Sequence, residues 1–343
     1  MDTLAFDAAT LQEVRDFNRK LARMPRFGMR YRPLARPLQL LMRLSQVGAD
    51  RRLARAGIVG EERRVSQDGV RVRILHPAAG PVRALVLDIH GGGWVFGNAR
   101  MNDRLNQATI EACKVAVVSV DYRLALATPL QGLMDDCLAA ARWLLEDGLP
   151  GYAGLPVFVV GESAGAHLAA ATLLRLQAWP ALLRRIAGAV LYYGVYDFGG
   201  TPSVRDAGPD TLVLDGPGML PSLRTLTPGL NDAARRRPPL SPLYGELHRM
   251  PPALLFACQR DPLRDDTITM AARWRAAIGD DGVEHDPVER DPVERDPVEL
   301  HLLPEAPHGI IHFPVRMAQM VTARSHAWIR ARIDAAQGAA LSY

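Results

Sequence analysis

Short apolar runs alternate with amphipathic runs from about residue 69 onward, and this alternation constrains the fold more than any other feature. The apolar runs have the length of buried strands, and the intervening runs repeat apolar residues every three or four positions. This pattern is typical of an α/β protein with a mainly parallel, doubly wound sheet. The predicted strands are 69–77, 83–90, 115–121, 155–161, 187–194, 252–258 and 298–304, and the predicted helices are 103–113, 132–147, 163–178, 265–278 and 314–336.

Three regions lie outside this alternation. Two arginine-rich helices are predicted at 9–24 and 36–57, and their apolar faces must cover either the main domain or a lipid-like substrate. The apolar face of the second comprises Leu38, Leu41, Leu44 and Val47. The Pro- and Gly-rich segment 199–247 is too long for a structureless loop, so we expect short helices packed beside the N-terminal pair.

The third region, 286–300, repeats DPVER, DPVER and DPVEL. A proline at every fifth position forbids a continuous helix, and the calcium-binding loop pattern D-x-[DN]-x-[DN]-G is absent. We therefore expect a solvated insertion without chemistry, whose last copy runs into the final strand.

The charge of the chain is unevenly distributed. The net charge is +4 over 343 residues, but residues 1–60 carry twelve basic against five acidic residues, and residues 281–300 carry two against eight. No basic helix with base-reading or aromatic residues accompanies the positive charge, so nucleic-acid binding is not expected. No apolar run is long enough to span a membrane, and the first residues do not read as a secretory signal.

The cysteines and histidines give no sign of a metal or a disulfide framework. The three cysteines (Cys113, Cys137 and Cys258) are widely spaced in apolar stretches, as expected of buried free thiols in the cytoplasm. Neither CxxC nor HExxH occurs, and we expect no metal and no cofactor.

The strongest chemical signal is the pentapeptide Gly161-Glu162-Ser163-Ala164-Gly165, between a predicted strand and a predicted helix. A G-x-S-x-G turn presents a nucleophilic serine on strained backbone, and the helix N-terminus behind it favours developing negative charge. The sequence therefore predicts Ser163 as a nucleophile.

A second signal, His90-Gly91-Gly92-Gly93-Trp94, follows the strand at 83–90. Consecutive glycines allow backbone N–H groups to converge on an oxyanion. The alternative of a dinucleotide-binding loop fails because Phe96 stands where GxGxxG needs its third glycine. His90 itself is expected to hold the loop rather than to act as a base.

A serine nucleophile needs a histidine base oriented by a carboxylate, and in this fold both follow the serine in the chain. Asp261 lies closest to the end of the strand at 252–258, so we prefer it to Asp265 and Asp266, which can cap the next helix. His308 lies on the loop after the last predicted strand, where the base is required. His312 is expected to face the following helix and to be structural.

Taken together, these motifs resemble those of the hormone-sensitive-lipase-like bacterial esterases of the α/β-hydrolase superfamily. The resemblance spans roughly residues 60–320 and rests on HGGGW at 90–94, DYRLA at 121–125, GESAG at 161–165, DPLRDD at 261–266 and HG at 308–309. It implies an α/β-hydrolase fold with a mainly parallel eight-stranded sheet flanked by helices. It also implies a helical cap at 1–58, a catalytic domain at 59–343 and a further cap excursion at 199–247.

The resemblance also assigns the site. Ser163, Asp261 and His308 match the family's nucleophile, acid and base, and its oxyanion donors match the N–H groups of Gly91, Gly92 and Ala164. The candidate substrate-binding residues are Trp94, Tyr122 and Glu162. The sequence departs from the family where DYRLA lacks its usual following proline and acidic residue, and where Glu162 replaces the commoner aspartate.

The resemblance implies a serine carboxylesterase acting on small-molecule esters with short to medium acyl chains, and a homodimer is a further expectation. Three alternatives stay open. An arylformamidase-like amidase also combines HGG-W with GESAGAHL, which stands here at 161–168. A catalytically idle ligand-binding hydrolase fold and a lipase using its basic N-terminal helices at a membrane surface are the others.

Overall fold

The computed structural model of this chain describes residues 4–28, 35–66, 69–125, 127–279 and 297–340. Its strands are β1 (Ile58–Arg64), β2 (Arg71–Pro77), β3 (Ala84–Ile89), β4 (Val115–Asp121), β5 (Val157–Glu162), β6 (Ile186–Tyr192), β7 (Ala253–Cys258) and β8 (Val298–Leu303). Its α-helices are α1 (Ala8–Leu21), α2 (Ala35–Ser45), α3 (Ala49–Arg55), α4 (Asp103–Cys113), α5 (Leu130–Leu145), α6 (Ala164–Leu176), α7 (Pro180–Leu183), α8 (Pro202–Arg205), α9 (Gly216–Leu226), α10 (Asp232–Arg235), α11 (Arg264–Gly279) and α12 (Arg316–Ala340).

The eight strands form one sheet in the order β1-β2-β4-β3-β5-β6-β7-β8. β2 pairs antiparallel with β1 and β4, and all other pairs are parallel. The predicted α/β fold with a mainly parallel eight-stranded sheet is thus confirmed. In such a sheet the loops after β3, β5, β7 and β8 meet at one edge, where ligands bind.

The core lies on both faces of the sheet. Helices α5, α6 and α11 pack into the apolar layer on one face, which includes the fully buried Trp274. Helices α4 and α12 pack on the other face, where Trp328 is buried against Phe158. Because both faces are covered, the central strands consist almost entirely of buried apolar residues.

Two elements differ from the sequence prediction. Strand β1 was not predicted, because only Ile58 of its seven residues is buried and the rest of IVGEERR is largely polar. The helix predicted over 36–57 is two helices, α2 and α3, separated by a turn that ends at Gly48. Gly48 adopts the left-handed conformation (φ 77°), which glycine reaches without a Cβ penalty and which ends a helix.

The two N-terminal apolar faces have different surroundings. Helix α1 covers the main domain, since Val14 and Leu21 are buried and the Phe17 ring lies 5.0 Å from that of Phe313. The face of α2 does not cover it, because Leu41, Leu44 and Val47 are exposed. The side chain of Leu38 lies outside the described part of the chain.

The segment 199–247 contains the short helices α8 and α10 and the longer α9. It contacts the N-terminal region through a short parallel bridge between Phe27 and Leu214. The Phe27 N–H donates to the Val213 carbonyl at 2.5 Å, and the Asp215 N–H donates to the Phe27 carbonyl at 2.8 Å.

The remaining sequence predictions concern the repeat, the cysteines and membrane spans. Residues 286–296 of the DPVER repeat lie outside the described residues, and Val298–Leu300 of its last copy begin β8 as predicted. All three cysteines are buried free thiols, which confirms that prediction. Within the described residues, no helix combines the length and the apolar character that crossing a bilayer requires.

Candidate active site

Ser163 occupies the turn between β5 and α6 in a strained conformation, with φ 53° and ψ −120°. Its N–H donates to the Tyr192 carbonyl at 2.9 Å, which fixes the turn. A Cβ on Gly165 would lie 1.9 Å from the Ile89 carbonyl oxygen, so only glycine permits this approach of α6 to β3. Strain of this kind persists only where surrounding structure enforces it, as at functional sites.

His308 lies between Ser163 and Asp261. Its Nε2 is 2.9 Å from the Ser163 Oγ, and its Nδ1 is 2.7 Å from the Asp261 Oδ2. Asp261 is buried, and its Oδ1 accepts the Leu263 N–H at 2.9 Å. The structure therefore brings together the three residues that the sequence predicted, in the order nucleophile, base and acid.

The two neighbouring aspartates, which were the alternatives for the catalytic acid, instead bind residues 196–203, at and just before the start of the 199–247 segment. Asp266 accepts the N–H groups of Tyr196 and Asp197 and the Thr201 hydroxyl. Asp265 accepts the Ser203 N–H at 3.0 Å. Burial raises the pKa of Asp266 to about 7, although these hydrogen bonds act to lower it.

The glycine loop after β3 is held from behind by His90 and Tyr122. Their rings stack with centroids 4.2 Å apart, and the Tyr122 hydroxyl donates to the His90 carbonyl at 2.8 Å. The His90 Nδ1 lies 2.8 Å from the Gly91 carbonyl, so this histidine holds the loop, as expected. Desolvation lowers the pKa of His90, which favours the neutral ring.

The candidate oxyanion donors lie around Ser163. Gly92 lines the cavity in front of the serine, and Ala164 is the first residue of α6. The Gly91 N–H is directed toward the Glu162 Oε1 at 3.4 Å, a long and therefore weak hydrogen bond.

Glu162 is buried and forms an ion pair with the partly exposed His312, whose Nε2 lies 2.8 Å from the Glu162 Oε2. The Tyr193 hydroxyl donates to the same oxygen at 3.1 Å. Burial alone would raise the pKa of Glu162, but the charge of His312 and its hydrogen bond lower it to about 2. Burial alone would lower the pKa of His312, and Glu162 raises it instead.

The placement of His312 differs from the prediction that it faces the following helix. His312 ends a three-residue 3₁₀ turn, Ile310–His312, and its ring contacts Glu162. The sequence does not predict this turn or the Tyr193 contact. Its one indication is that His312 lies close to His308 in the chain.

An apolar cavity of about 350 Å³ opens in front of Ser163 and His308. Its walls come from the glycine loop, from the N-terminal region and from the 199–247 segment. The lining residues outside the catalytic loops include Phe27, Gly28, Phe96, Met101, Val213, Leu214, Met219, Ser222, Leu223 and Leu226. A cavity of this size and character is typical of a site for a small, largely uncharged ligand.

Two of the three predicted substrate-binding residues line this cavity. Trp94 forms part of its wall, and the Trp94 Nε1 donates to the His167 Nδ1 at 3.1 Å. Glu162 also lines it. Tyr122 is buried behind the glycine loop and is not among the residues of the wall, so its contact is with the loop.

A comparison with sequence families matches residues 86–289 to a family described as having the alpha/beta hydrolase fold. This match covers more than half of the chain. The chain belongs to the α/β-hydrolase family. The carboxylesterase NlhH of Mycobacterium tuberculosis (strain ATCC 25618 / H37Rv) is 32% identical to this hydrolase over 233 residues, which cover 63% of this chain and 70% of NlhH.

Solved structures agree on the fold of this hydrolase. A bacterial heroin esterase superposes with a TM-score of 0.75 at 25% identity, covering 94% of this chain and 97% of its own. A hyperthermophilic esterase from the archaeon Pyrobaculum calidifontis superposes with a TM-score of 0.71 at 21% identity, covering 96% and 99%. These findings confirm the resemblance predicted from the sequence.

The family match leaves two parts of this hydrolase outside it. It ends before His308, and it begins after the N-terminal helices and β1 and β2. The base and the N-terminal wall of the cavity are therefore assigned from this chain's own geometry. Among the described residues, no cluster of three or more His, Cys, Asp or Glu side chains could hold a metal ion.

Proposed function

We propose that this carboxylic ester hydrolase acts through an acyl-enzyme formed on Ser163. The observation that carries this proposal is the chain of contacts from Ser163 through His308 to Asp261, at 2.9 and 2.7 Å, opening on an apolar cavity. A serine hydroxyl is a weak nucleophile until an oriented imidazole takes its proton, and this arrangement supplies one.

In the first step the Ser163 Oγ attacks the ester carbonyl while the His308 Nε2 takes its proton. Asp261 accepts the hydrogen bond from Nδ1–H and stabilises the imidazolium that forms. His308 then donates the proton to the leaving alcohol, and the acyl group stays on Ser163. A water molecule, deprotonated by His308, releases the acid by the same route.

The negative oxygen of each tetrahedral intermediate needs hydrogen-bond donors. We assign this role to the N–H groups of Gly92 and Ala164, with Gly91 as the third donor, because its contact with Glu162 is weak enough to be exchanged for a substrate oxygen. The N-terminus of α6 adds its positive dipole end at the same place. Loss of one such donor typically lowers kcat by about 10²–10³.

The substrates we propose are esters with short to medium acyl chains. The cavity is lined mostly by apolar side chains, and the charge of Glu162 is neutralised by His312. An acyl chain buried there gains roughly 0.8 kcal/mol per methylene. A panel of p-nitrophenyl esters from acetate to palmitate, with an N-formyl anilide added, separates this proposal from a long-chain lipase and from an amidase.

We further propose that residues 1–58 and 199–247 together form a cap on the catalytic domain at 59–343. Support comes from the cavity wall, since Phe27 belongs to one segment and Leu214 to the other. The backbone bonds of Phe27 to Val213 and Asp215 join the two segments.

Two expectations about the cellular context also stand as proposals. The three buried free thiols suit the cytoplasm, where thiols stay reduced. Strand β8 is one edge of the sheet, and its Leu302 is 47% exposed, so a homodimer would form along β8. Cell fractionation tests the cytoplasmic location, and analytical ultracentrifugation of a Leu302→Lys variant tests the homodimer.

The nucleophile is tested by Ser163→Ala, with Ser222→Ala as the control because Ser222 lines the same cavity. We expect Ser163→Ala to reduce hydrolysis of p-nitrophenyl butyrate by at least about 10⁴-fold and Ser222→Ala to change it little. A fluorophosphonate should add one label to the native chain and none to Ser163→Ala. Substantial turnover by Ser163→Ala, with unchanged circular dichroism, would refute the assignment.

A further inference from the structure

Helix α2 binds to the rest of the protein through polar side chains. The Gln39 side chain donates to the Gly97 carbonyl at 2.8 Å and accepts the Gly97 N–H at 2.9 Å. The Gln46 side chain exchanges two hydrogen bonds with the Asn98 side chain, at 3.1 and 3.0 Å. Gln39 of α2 and Gln46 of the turn after it therefore attach this helix to the loop at 97–98.

The outward face of α2 and of the turn after it is apolar. Leu40 is 58% exposed, Leu41 62%, Leu44 57% and Val47 72%. These four residues are called the α2 stripe below. Their exposure is the reverse of the usual arrangement, in which the apolar side of a surface helix packs on the core. A contiguous exposed apolar patch on a protein surface marks an interaction site.

Exposed arginines accompany the α2 stripe on α2 and on the following helix α3. Arg43, Arg51 and Arg55 are exposed, and within the described residues none of them forms an ion pair. The one acidic residue of α2 and α3, Asp50, is held by Arg73 at 2.6 Å and by Arg100 at 2.9 Å. Its charge is therefore neutralised by the main domain, and the arginines beside the stripe are left in excess.

We propose that the α2 stripe docks on an anionic lipid surface. Apolar side chains enter the interface while the surrounding arginines contact the headgroups, which is how amphipathic helices bind membranes. Each arginine near an anionic leaflet contributes about fivefold to the affinity.

A second copy of the chain fits this surface less well. In a twofold dimer the same patch meets itself, so the arginines of one copy would face the equally basic patch of the other. Four side chains also cover much less than the about 800 Å² that each partner contributes to a stable interface. Charge complementarity thus favours a lipid surface.

Docking of the α2 stripe would bring the substrate cavity close to that surface. Gln39 is bonded to Gly97, and Phe96 and Met101 on either side of Gly97 line the cavity. Esters dissolved in the lipid would then have a short path to Ser163.

The test measures binding of the Ser163→Ala chain to vesicles, so that the result does not depend on hydrolysis. Vesicles of phosphatidylcholine with about 30 mol% phosphatidylglycerol are compared with pure phosphatidylcholine at low and high salt. We expect cosedimentation with the anionic vesicles that weakens as salt rises. Leu41→Gln, Leu44→Gln and Val47→Thr combined should lower the affinity at least about tenfold, and Arg43→Gln, Arg51→Gln and Arg55→Gln combined about 100-fold.

Matched controls use exposed residues elsewhere in the chain. Leu230→Gln combined with Val59→Thr, and Arg104→Gln combined with Arg184→Gln and Arg273→Gln, should bind as the parent does. In the otherwise native chain, the stripe variant should hydrolyse soluble p-nitrophenyl acetate normally. The proposal is overturned if the parent does not bind anionic vesicles, if the stripe variant binds equally well, or if the chain is a dimer that only the stripe variant dissociates.

Discussion

Glu162 joins segments that reach the active site separately. Its carboxylate contacts His312 on the loop after β8, Tyr193 at the end of β6 and the Gly91 N–H in the glycine loop. The residue precedes Ser163 directly, so this one side chain fixes the nucleophile turn relative to both loops. We interpret Glu162 and His312 as positioning residues rather than as participants in proton transfer.

The ion pair makes stability depend on pH in a defined way. The pKa of His312 is raised above 6.5, so its stabilisation is complete below 6.5 and is lost as the pH rises through the raised value. The pKa of Glu162 is lowered from 4.5 to about 2, so its stabilisation is complete above 4.5 and is lost as the pH falls toward 2. The pair therefore stabilises most between these limits.

We expect His312→Gln to lower Tm most between pH 4.5 and 6.5 and less at about pH 9. Thermal unfolding followed by circular dichroism at each pH measures the difference from the parent chain. His248→Gln is the control, because His248 is exposed and distant in sequence. An equal loss of Tm at every pH would show that His312 contributes packing and not charge.

Gly165 tests the close packing beneath the nucleophile. A Cβ there would meet the backbone oxygen of Ile89, which has no rotamer by which to yield. Gly165→Ala should therefore destabilise the protein by about 3 kcal/mol or more. Urea unfolding measures this, and Gly151→Ala, with no atom within 4 Å of the added methyl, should be nearly neutral.

At the scale of elements, the predictable strands were those buried on both faces. Strand β4 was predicted with its observed bounds because all but one of its seven residues are buried. Strand β1 is at the sheet edge and pairs through its backbone, which leaves its side chains free to be charged and gives no apolar pattern. The split between α2 and α3 depends on the conformation of one glycine, which the apolar spacing does not reveal.

The same contrast holds for the site. Ser163, Asp261 and His308 could be predicted because each directly follows a recognisable strand and the fold fixes their chain order. The Glu162–His312 contact joins residues 150 positions apart through a short 3₁₀ turn, so no local pattern indicates it. The hydrogen bonds of Gln39 and Gln46 could not be predicted, because an apolar stripe on a helix is normally interpreted as the face that packs on the core.

Helix α9 should control which acyl chains fit. Its Met219 and Leu223 line the cavity, whereas Thr225 on the same helix is exposed. We expect Met219→Trp to fill part of the 350 Å³ cavity and to reduce kcat/KM for octanoate at least about tenfold relative to acetate. Thr225→Trp should leave the ratio unchanged, and an unchanged ratio in Met219→Trp would place the acyl chain elsewhere.

At the scale of the whole molecule, the accessibility of the three cysteine thiols to alkylation indicates whether the core is closed. Cys137 and Cys258 are fully buried in the core, and desolvation raises the pKa of both thiols well above the usual value. Desolvation also raises the pKa of the Cys113 thiol, to about 11. Iodoacetamide at about pH 8 should therefore leave the native chain unlabelled and active, since the thiolate is the reactive form. In guanidinium chloride all three should be alkylated, as measured by intact mass. Rapid labelling of the native chain would reveal local opening.

Among the described strands, β8 lies at the edge of the sheet beside β7, and the loop after it carries His308. Ser163 and its base are 145 residues apart in the chain, so the nucleophile turn is synthesised long before the residue that activates it. We therefore expect a nascent chain to gain ester-cleaving activity only after β8 and His308 have left the ribosome and docked. The appearance of ester hydrolysis during translation would therefore show that the sheet is complete.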